Sequence, residues 1–228
     1  MNRIIFAAFF LLSWIAEPVE VFAQKNDATH DVDAGNALKI SADKYKKMGG
    51  FQSDFTLITV RPKLKAEEPE SKYTETQNGK VWVKGNAFKV QLGGNEIVCN
   101  GKDIWTYIAK SKECQLNEFI ESDEVFSPSQ IFNLYDKNFA YQMKEDKVAN
   151  GIHTTVIELA PSNKKALYFK IDVSLNDSKE ITEVKVYEKN GMRYFYRPQN
   201  TVANAGLTDS FFSFDTKKYP NVHVEDLR

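Results

Sequence analysis

Groups able to do acid-base, metal or nucleophilic chemistry are sparse in this chain and badly spaced for it. The three histidines, His30, His153 and His223, have no metal-ligand spacing among themselves. No Gly-x-Ser-x-Gly elbow and no paired-cysteine motif occurs. His153 follows a turn and reads as a solvated strand residue. The acidic run Glu121-Ser122-Asp123-Glu124 has cation-binding residue types but reads as a solvated loop. No catalytic residue, metal or cofactor is expected, and the chain is not read as an enzyme. Lys and Arg number 30 against 31 Asp and Glu, so the clustered basic surface that a nucleic-acid partner requires is not indicated.

What the chain has in quantity is alternation. Phe88, Val90 and Leu92 alternate with Lys89 and Gln91, Gly93-Gly94-Asn95 turns the chain, and Asn100-Gly101 precedes the aromatic strand Ile104-Trp105-Thr106-Tyr107. One face of this β-meander must be covered by apolar material, from the chain itself or from a ligand. With these included, strands are expected at 51–60, 73–84, 87–92, 96–99, 103–109, 113–119, 140–148, 153–159, 167–175, 180–187, 192–197 and 209–215. The dipeptides Asn78-Gly79, Asn100-Gly101, Asn150-Gly151 and Asn190-Gly191, with Asn176-Asp177-Ser178, are read as the turns between them. Leu167, Phe169, Ile171, Val173 and Leu175 are expected on one dry face.

Two helical segments join the strands. Ala34, Ala37, Leu38, Ser41, Tyr45 and Met48 recur at helical spacing over 33–47, and Gly49-Gly50 stops them. Ser127-Pro128-Ser129-Gln130 forms a capping box ahead of Ile131, Phe132 and Leu134, so a short helix is expected through Tyr135. It should move against the sheet, because isolated helices shorter than about 12 residues are marginal without packing. The segment 61–72, charged and bearing Pro62 and Pro69, is expected to be a solvated or mobile loop without packed structure. The sum is a mainly β (α+β) chain: a curved antiparallel sheet, or unclosed barrel, of about eleven strands with a helical lid over its concave apolar face.

The N-terminus has one positive charge at Arg3, an apolar run from Ile4 to Ile15, and Val21-Phe22-Ala23 before Gln24. This reads as a secretory signal peptide over 1–23, cleaved near Ala23, since a membrane span needs about 20 apolar residues. A single exported domain over 24–228 follows, and losing Arg3, Glu17 and Glu20 leaves its two charge signs equal.

The mature sequence resembles LolA, the periplasmic carrier of outer-membrane lipoproteins, in its Bacteroidetes-type form. The resemblance rests on 50–55, on Gly79-Lys80-Val81-Trp82-Val83-Lys84, on 88–90, on Asn100-Gly101-Lys102-Asp103-Ile104-Trp105-Thr106-Tyr107, on the Ser127-Pro128 helix, and on Asp209-Ser210-Phe211-Phe212-Ser213-Phe214-Asp215 running to Pro220-Asn221-Val222. It implies an unclosed barrel with a helical lid that shields acyl chains of lipoproteins, loaded by an inner-membrane lipoprotein-releasing ABC transporter and unloaded at an outer-membrane acceptor, as a monomer. Many members also carry an arginine and a proline after the Trp-Val-Lys strand, implied to latch the lid. This chain has Lys84-Gly85-Asn86 there.

Periodicity alone favours an ordinary sandwich core for the apolar set; with the resemblance the group reads as a lipid-binding lining. That set is Phe55, Leu57, Trp82, Phe88, Val90, Leu92, Trp105, Tyr107, Ile131, Leu134, Phe169, Ile171, Val173, Val184, Val186, Phe212 and Phe214. Each buried methylene is worth about 0.8 kcal/mol, so a carrier that must release its cargo should shield it only in part. Val90→Glu is expected to block lipoprotein release and leave the fold intact. The other reading is a periplasmic sensor of lipids or lipoproteins, or a carrier of phospholipid or glycolipid, on the same half-barrel; a sensor would be expected to carry a second domain or tether, and the end at Arg228 favours the carrier. An exported chain with Cys99 and Cys114 invites a disulfide. In an ordered meander, though, the two lie on strands separated by a third, about 9.6 Å apart, beyond the reach of about 7 Å that a disulfide allows. Two separate thiols are expected.

Overall fold

A computed structural model of the chain describes residues 31–120, 130–132, 138–149, 151–204 and 206–228. Helix α1 spans Val32–Lys47. The strands are β1 (Phe51–Val60), β2 (Thr74–Lys84), β3 (Ala87–Leu92), β4 (Asn95–Cys99), β5 (Asp103–Ile108), β6 (Glu113–Glu118), β7 (Phe139–Ala149), β8 (Ile152–Pro161), β9 (Tyr168–Leu175), β10 (Ile181–Glu188), β11 (Arg193–Ala203) and β12 (His223–Asp226). They form one 12-stranded sheet in the order β12-β6-β5-β4-β3-β2-β1-β11-β10-β9-β8-β7, which is not closed. Two antiparallel meanders, β1 to β6 and β7 to β11, are joined where β1 pairs β11, and only β12 pairs in parallel, with β6. The expectation of a mainly β, unclosed curved sheet with a helix is met, with twelve strands where about eleven were expected.

The turn chemistry works as read at most positions. Gly101, Gly151 and Gly191 hold φ of +88°, +74° and +85°, the left-handed conformation that a side chain disfavours. Asn78-Gly79 is a correction. It lies inside β2, with Phe55 of β1 on one side and Leu92 of β3 on the other. A Cβ on Gly79 would meet Phe55 Cζ at 2.5 Å and Gln91 O at 2.6 Å, so the glycine makes room for a ring.

Three further expectations are revised. Residues 209–215 form no strand. Asp209–Phe212 is a 3-10 turn, because the consecutive rings of Phe211 and Phe212 pack on the same cluster, which strand alternation forbids. The loop 61–72 is exposed but tied. A 3-10 turn at Glu70–Tyr73 seats a buried Tyr73, whose hydroxyl donates to Glu68, and Arg193 pairs with Glu70 at 3.1 Å. Of the helix expected over 127–135, the described residues hold a 3-10 turn at Gln130–Phe132. The rest of that segment lies outside the described residues, as do Leu134, the acidic run 121–124, His30 and the N-terminal 1–23.

Alternation along the strands produces two apolar layers. The larger cluster joins Phe51, Phe55 and Leu57 with Val81, Val83, Phe88, Val90, Ile97, Ile157, Leu159, Ile171, Val173 and Val184, and with Ala34, Ala37, Leu38 and Tyr45 of α1. This is the inner, helix-bearing face. On the outer face a smaller cluster joins Val98, Trp82 and Trp105 to Leu207, Phe211, Phe212 and Phe214 of the C-terminal segment.

Candidate functional site: the helix-bearing apolar face

Helix α1 is positioned by polar contacts at its two ends. The Asp31 carboxylate caps it, accepting from Asp33 N at 2.9 Å and Ala34 N at 3.1 Å, while its other oxygen accepts from Met143 N of β7 at 3.1 Å. The N–H groups of Ala34 and Met143 hold that carboxyl below its ordinary pKa. At the far end Lys44 pairs with Glu180 at 2.6 Å, and Tyr45 Oη accepts from Ile181 N at 3.3 Å. The helix therefore runs from edge strand β7 past the β9–β10 turn to the start of β1, and presses so closely that a Cβ on Gly35 would stand 2.9 Å from the Tyr141 ring.

Between helix and sheet sits a set of rings. Phe132, from the 3-10 turn, lies 4.8 Å from Tyr45 and 4.5 Å from Phe51 between centroids. Tyr196 of β11 lies 5.0 Å from Phe55 and 6.4 Å from Phe132. Burial pushes the Tyr45 hydroxyl up to about 12, and pushes Tyr196 up as well. Partly buried around this core are Met48, Ile104, Phe119, Tyr141, Met143, Val186 and Tyr194, the inner-face residues that retain solvent contact.

Of the lining residues expected from sequence, Phe55, Leu57, Phe88, Val90, Leu92, Ile131, Ile171, Val173, Val184 and Val186 come together on this face. Trp82, Trp105, Tyr107, Phe212 and Phe214 do not. Trp82 alternates with the inward Val81 and Val83, and Trp105 and Tyr107 pair with the outward Val98 and Glu96. All three lie beneath the C-terminal segment, with Trp82 against Phe211 and Tyr107 against Phe214 and Tyr219. Phe169 is displaced by a β-bulge. Lys170 pairs with Tyr187 and Tyr168 with Glu188, so Phe169 is the extra residue; Tyr168 joins the inner face, and Leu167 and Phe169 stand exposed. Ser41, Tyr45, Phe51, Phe132 and Tyr196 belong to the inner face and were not singled out as lining. The helical spacing of Ser41 and Tyr45 was the available signal.

The outer face is polar where it is not covered. Lys89 and Glu96 form a buried pair at 3.1 Å, Gln91 Nε2 donates to Glu96 at 2.8 Å, and the Lys89 ammonium stands 5.3 Å from the Phe211 ring centroid. Lys84, where the resemblance implies a latching arginine, donates to Leu207 O at 3.0 Å and Asp209 at 3.1 Å. It fastens the C-terminal segment rather than α1. A cleft of about 560 Å³ lies by the β3–β4 turn, where Phe55 and Leu92 line it together with Asp54, Lys80, Gln91, Glu96 and Tyr219. His153 is not simply solvated, since it bridges Asp146, at 2.8 Å, and Asp177. The thiols of Cys99 and Cys114 are free and buried, Cys99 opposite Ile104 and Cys114 opposite Tyr107 across the intervening strand. The described residues contain no His, Cys, Asp and Glu cluster fit for a metal.

A sheet that never closes, with one apolar face under a helix, is a binding architecture, and the sequence comparison fits it. The family model described as outer membrane lipoprotein carrier protein LolA matches residues 63–215, more than half of the chain. The chain belongs to the LolA family. No curated protein matches it. Among solved structures, an uncharacterized conserved protein from Thermus thermophilus is 11% identical, with 85% of this chain and 99% of that one covered at a TM-score of 0.52. A LolA superfamily protein from Nitrosomonas europaea is 14% identical, covering 79% and 97% at a TM-score of 0.43. The lipoprotein LppX of Mycobacterium tuberculosis is 13% identical, covering 78% and 98% at 0.43. Family and fold together support a lipoprotein or lipid carrier.

Proposed function

We propose that this protein is an exported, periplasmic monomer that shields the acyl chains of lipoproteins against its inner face and ferries them from the inner to the outer membrane. In this reading residues 1–23 are removed on export, 24–228 form one carrier domain, an inner-membrane lipoprotein-releasing ABC transporter supplies the cargo, and an outer-membrane acceptor receives it. The lining is the inner-face set centred on Phe55, Phe88, Val90, Ile171, Val173 and Val184, with Val186 beside it. The observation that carries the reading is the continuity of that face. Apolar side chains run from β4 through β1 to β8 across the junction of the two meanders, and a helix with a small-residue stripe, tied by polar contacts at its ends, lies over them. A face of that extent suits long hydrocarbon, and a removable cover suits release. Membership of the LolA family supports the same role.

The test is mass spectrometry of what co-purifies with the tagged protein from periplasm. Diacylated or triacylated lipoprotein is the expected cargo. Recovery of phospholipid or glycolipid alone would replace the lipoprotein reading with that of a carrier or sensor of free lipid.

A further inference from the structure

We infer that the hydroxyls of Ser41 and Tyr196 are a contact point for the carbonyl of an ester-linked or amide-linked acyl chain, an inference that rests on the carrier reading above. Ser41 and Tyr196 are 3% and 8% exposed, and neither hydroxyl has a hydrogen-bond partner among the described residues. Ser53 is the polar side chain beside Tyr196 Oη but lies outside hydrogen-bond geometry with it; its own hydroxyl is turned to Asp54 O and Thr201 Oγ1 at 2.8 Å and to Gln199 O at 3.0 Å. Ser41 stands one turn before Tyr45 on the buried face of α1, and Tyr45 shares the ring cluster with Tyr196 through Phe132.

Buried polar groups are almost always paired, because their desolvation is otherwise uncompensated. Alanine and phenylalanine at these two positions would keep the packing without that cost. The unpaired hydroxyls therefore mark a place where the covered state is incomplete. An acyl chain is apolar except at its carbonyl, a neutral acceptor. A hydroxyl is the neutral donor that matches it: one O–H satisfies one lone pair, with no charge to desolvate and no further donors left over. When α1 and the 3-10 turn at Gln130–Phe132 part from the sheet to admit a chain, the carbonyl gives these hydroxyls the partner they lack and sets how far the chain enters.

The test compares two soluble probes: a lipopeptide bearing a dihexanoyl glyceryl group and its dihexyl ether twin, titrated by calorimetry. One hydrogen bond corresponds to about twofold to tenfold in affinity. The protein should therefore bind the ester probe tighter by that factor. Tyr196→Phe and Ser41→Ala should each reduce the preference, with an unfolding midpoint no lower than the parent's, since the hydroxyls removed have no partner to lose. Equal affinity for both probes, or a preference that survives in the double variant, overturns the inference and leaves the carrier reading standing. Failure to bind either probe overturns the carrier reading itself.

Discussion

Replacing Gly79 by alanine sets two effects of opposite sign against each other. In a strand, alanine should help: it narrows the unfolded ensemble, a gain of about 0.4–1 kcal/mol where the native backbone accepts it. The backbone of Gly79 does accept it, because its φ is not positive. Space decides otherwise. The new Cβ would stand 2.5 Å from Phe55 Cζ, 2.9 Å from its Cε1, and 2.6 Å from Gln91 O. Phe55 is 4% exposed, so its ring has little room to move, and Gln91 O belongs to the backbone of β3. Overpacking of this kind costs about 1–3 kcal/mol, so the net effect is a loss of about 1–2 kcal/mol. With a urea dependence of about 2 kcal/mol per molar, the midpoint should fall by roughly 0.5–1 M. Phe55→Leu combined with Gly79→Ala should recover only part of the lost compatibility, because the carbonyl contact remains. Gly206→Ala is the control: its nearest atom would be 3.5 Å away, and it should be neutral or stabilising. A Gly79→Ala midpoint at or above the parent's would refute the claim that this glycine exists to seat the Phe55 ring.

Four further outcomes are expected. Val90→Glu places a carboxylate in a site 3% exposed between Val81 and Ile97; an unpaired buried charge costs several kcal/mol, so thermal unfolding should show a large loss of stability rather than an intact, inactive protein. Asp177 and Asp146 raise the pKa of His153, so the stability from this bridge is fully present below about 6.5, its unfolded value, and is lost as pH rises through the higher folded value. Unfolding midpoints from about pH 6 to 9 should show that loss in the parent and not in His153→Gln. Burial pushes both thiols up to about 11, so iodoacetamide at neutral pH should label neither in the native protein and both, without reductant, after denaturation; labelling that needs reduction would mean a disulfide. Lys44→Ala should speed amide exchange in α1 and tighten acyl-probe binding by up to about fivefold, the worth of a partly exposed ion pair, and weaker binding would mean that α1 is part of the grip.

The strands of the first meander were legible because alternation agrees there with the turns at Gly93-Gly94 and Asn100-Gly101, Asn78-Gly79 being the exception, and the Cys99 and Cys114 registers followed from them. What alternation does not carry is which face is inner when both are apolar. Val81-Trp82-Val83 reads the same whichever side the helix takes. The answer comes from residues far along the chain, 207–219, whose rings cover Trp82, Trp105 and Tyr107 from outside. Phe169 misled for a local reason, since a single extra residue flips every side chain before it to the opposite face. Strand β12 carried no signal at all. Its four residues are exposed, and it forms on the backbone edge that β6 leaves open.

The way α1 is held bears on how such a face can load and release. Its buried stripe is Ala34, Gly35, Ala37, Leu38, Ser41 and Tyr45, so only Leu38 and Tyr45 bring large apolar area. At about 1.5–3 kcal/mol for each large side chain, lifting the helix exposes about 5 kcal/mol of hydrophobic contact on its own side, to which the apolar residues beneath it add. The ties at its ends, Asp31 to Met143 N and Lys44 to Glu180, exchange for hydrogen bonds to water on opening, so they add little to that while fixing where the helix returns. At about 0.8 kcal/mol each, roughly ten methylenes, the greater part of one acyl chain, would be needed to offset that total. A helix with a leucine-rich stripe would hold the face more firmly against cargo; in the carrier reading this one would yield to an acyl chain and reseat when the chain leaves.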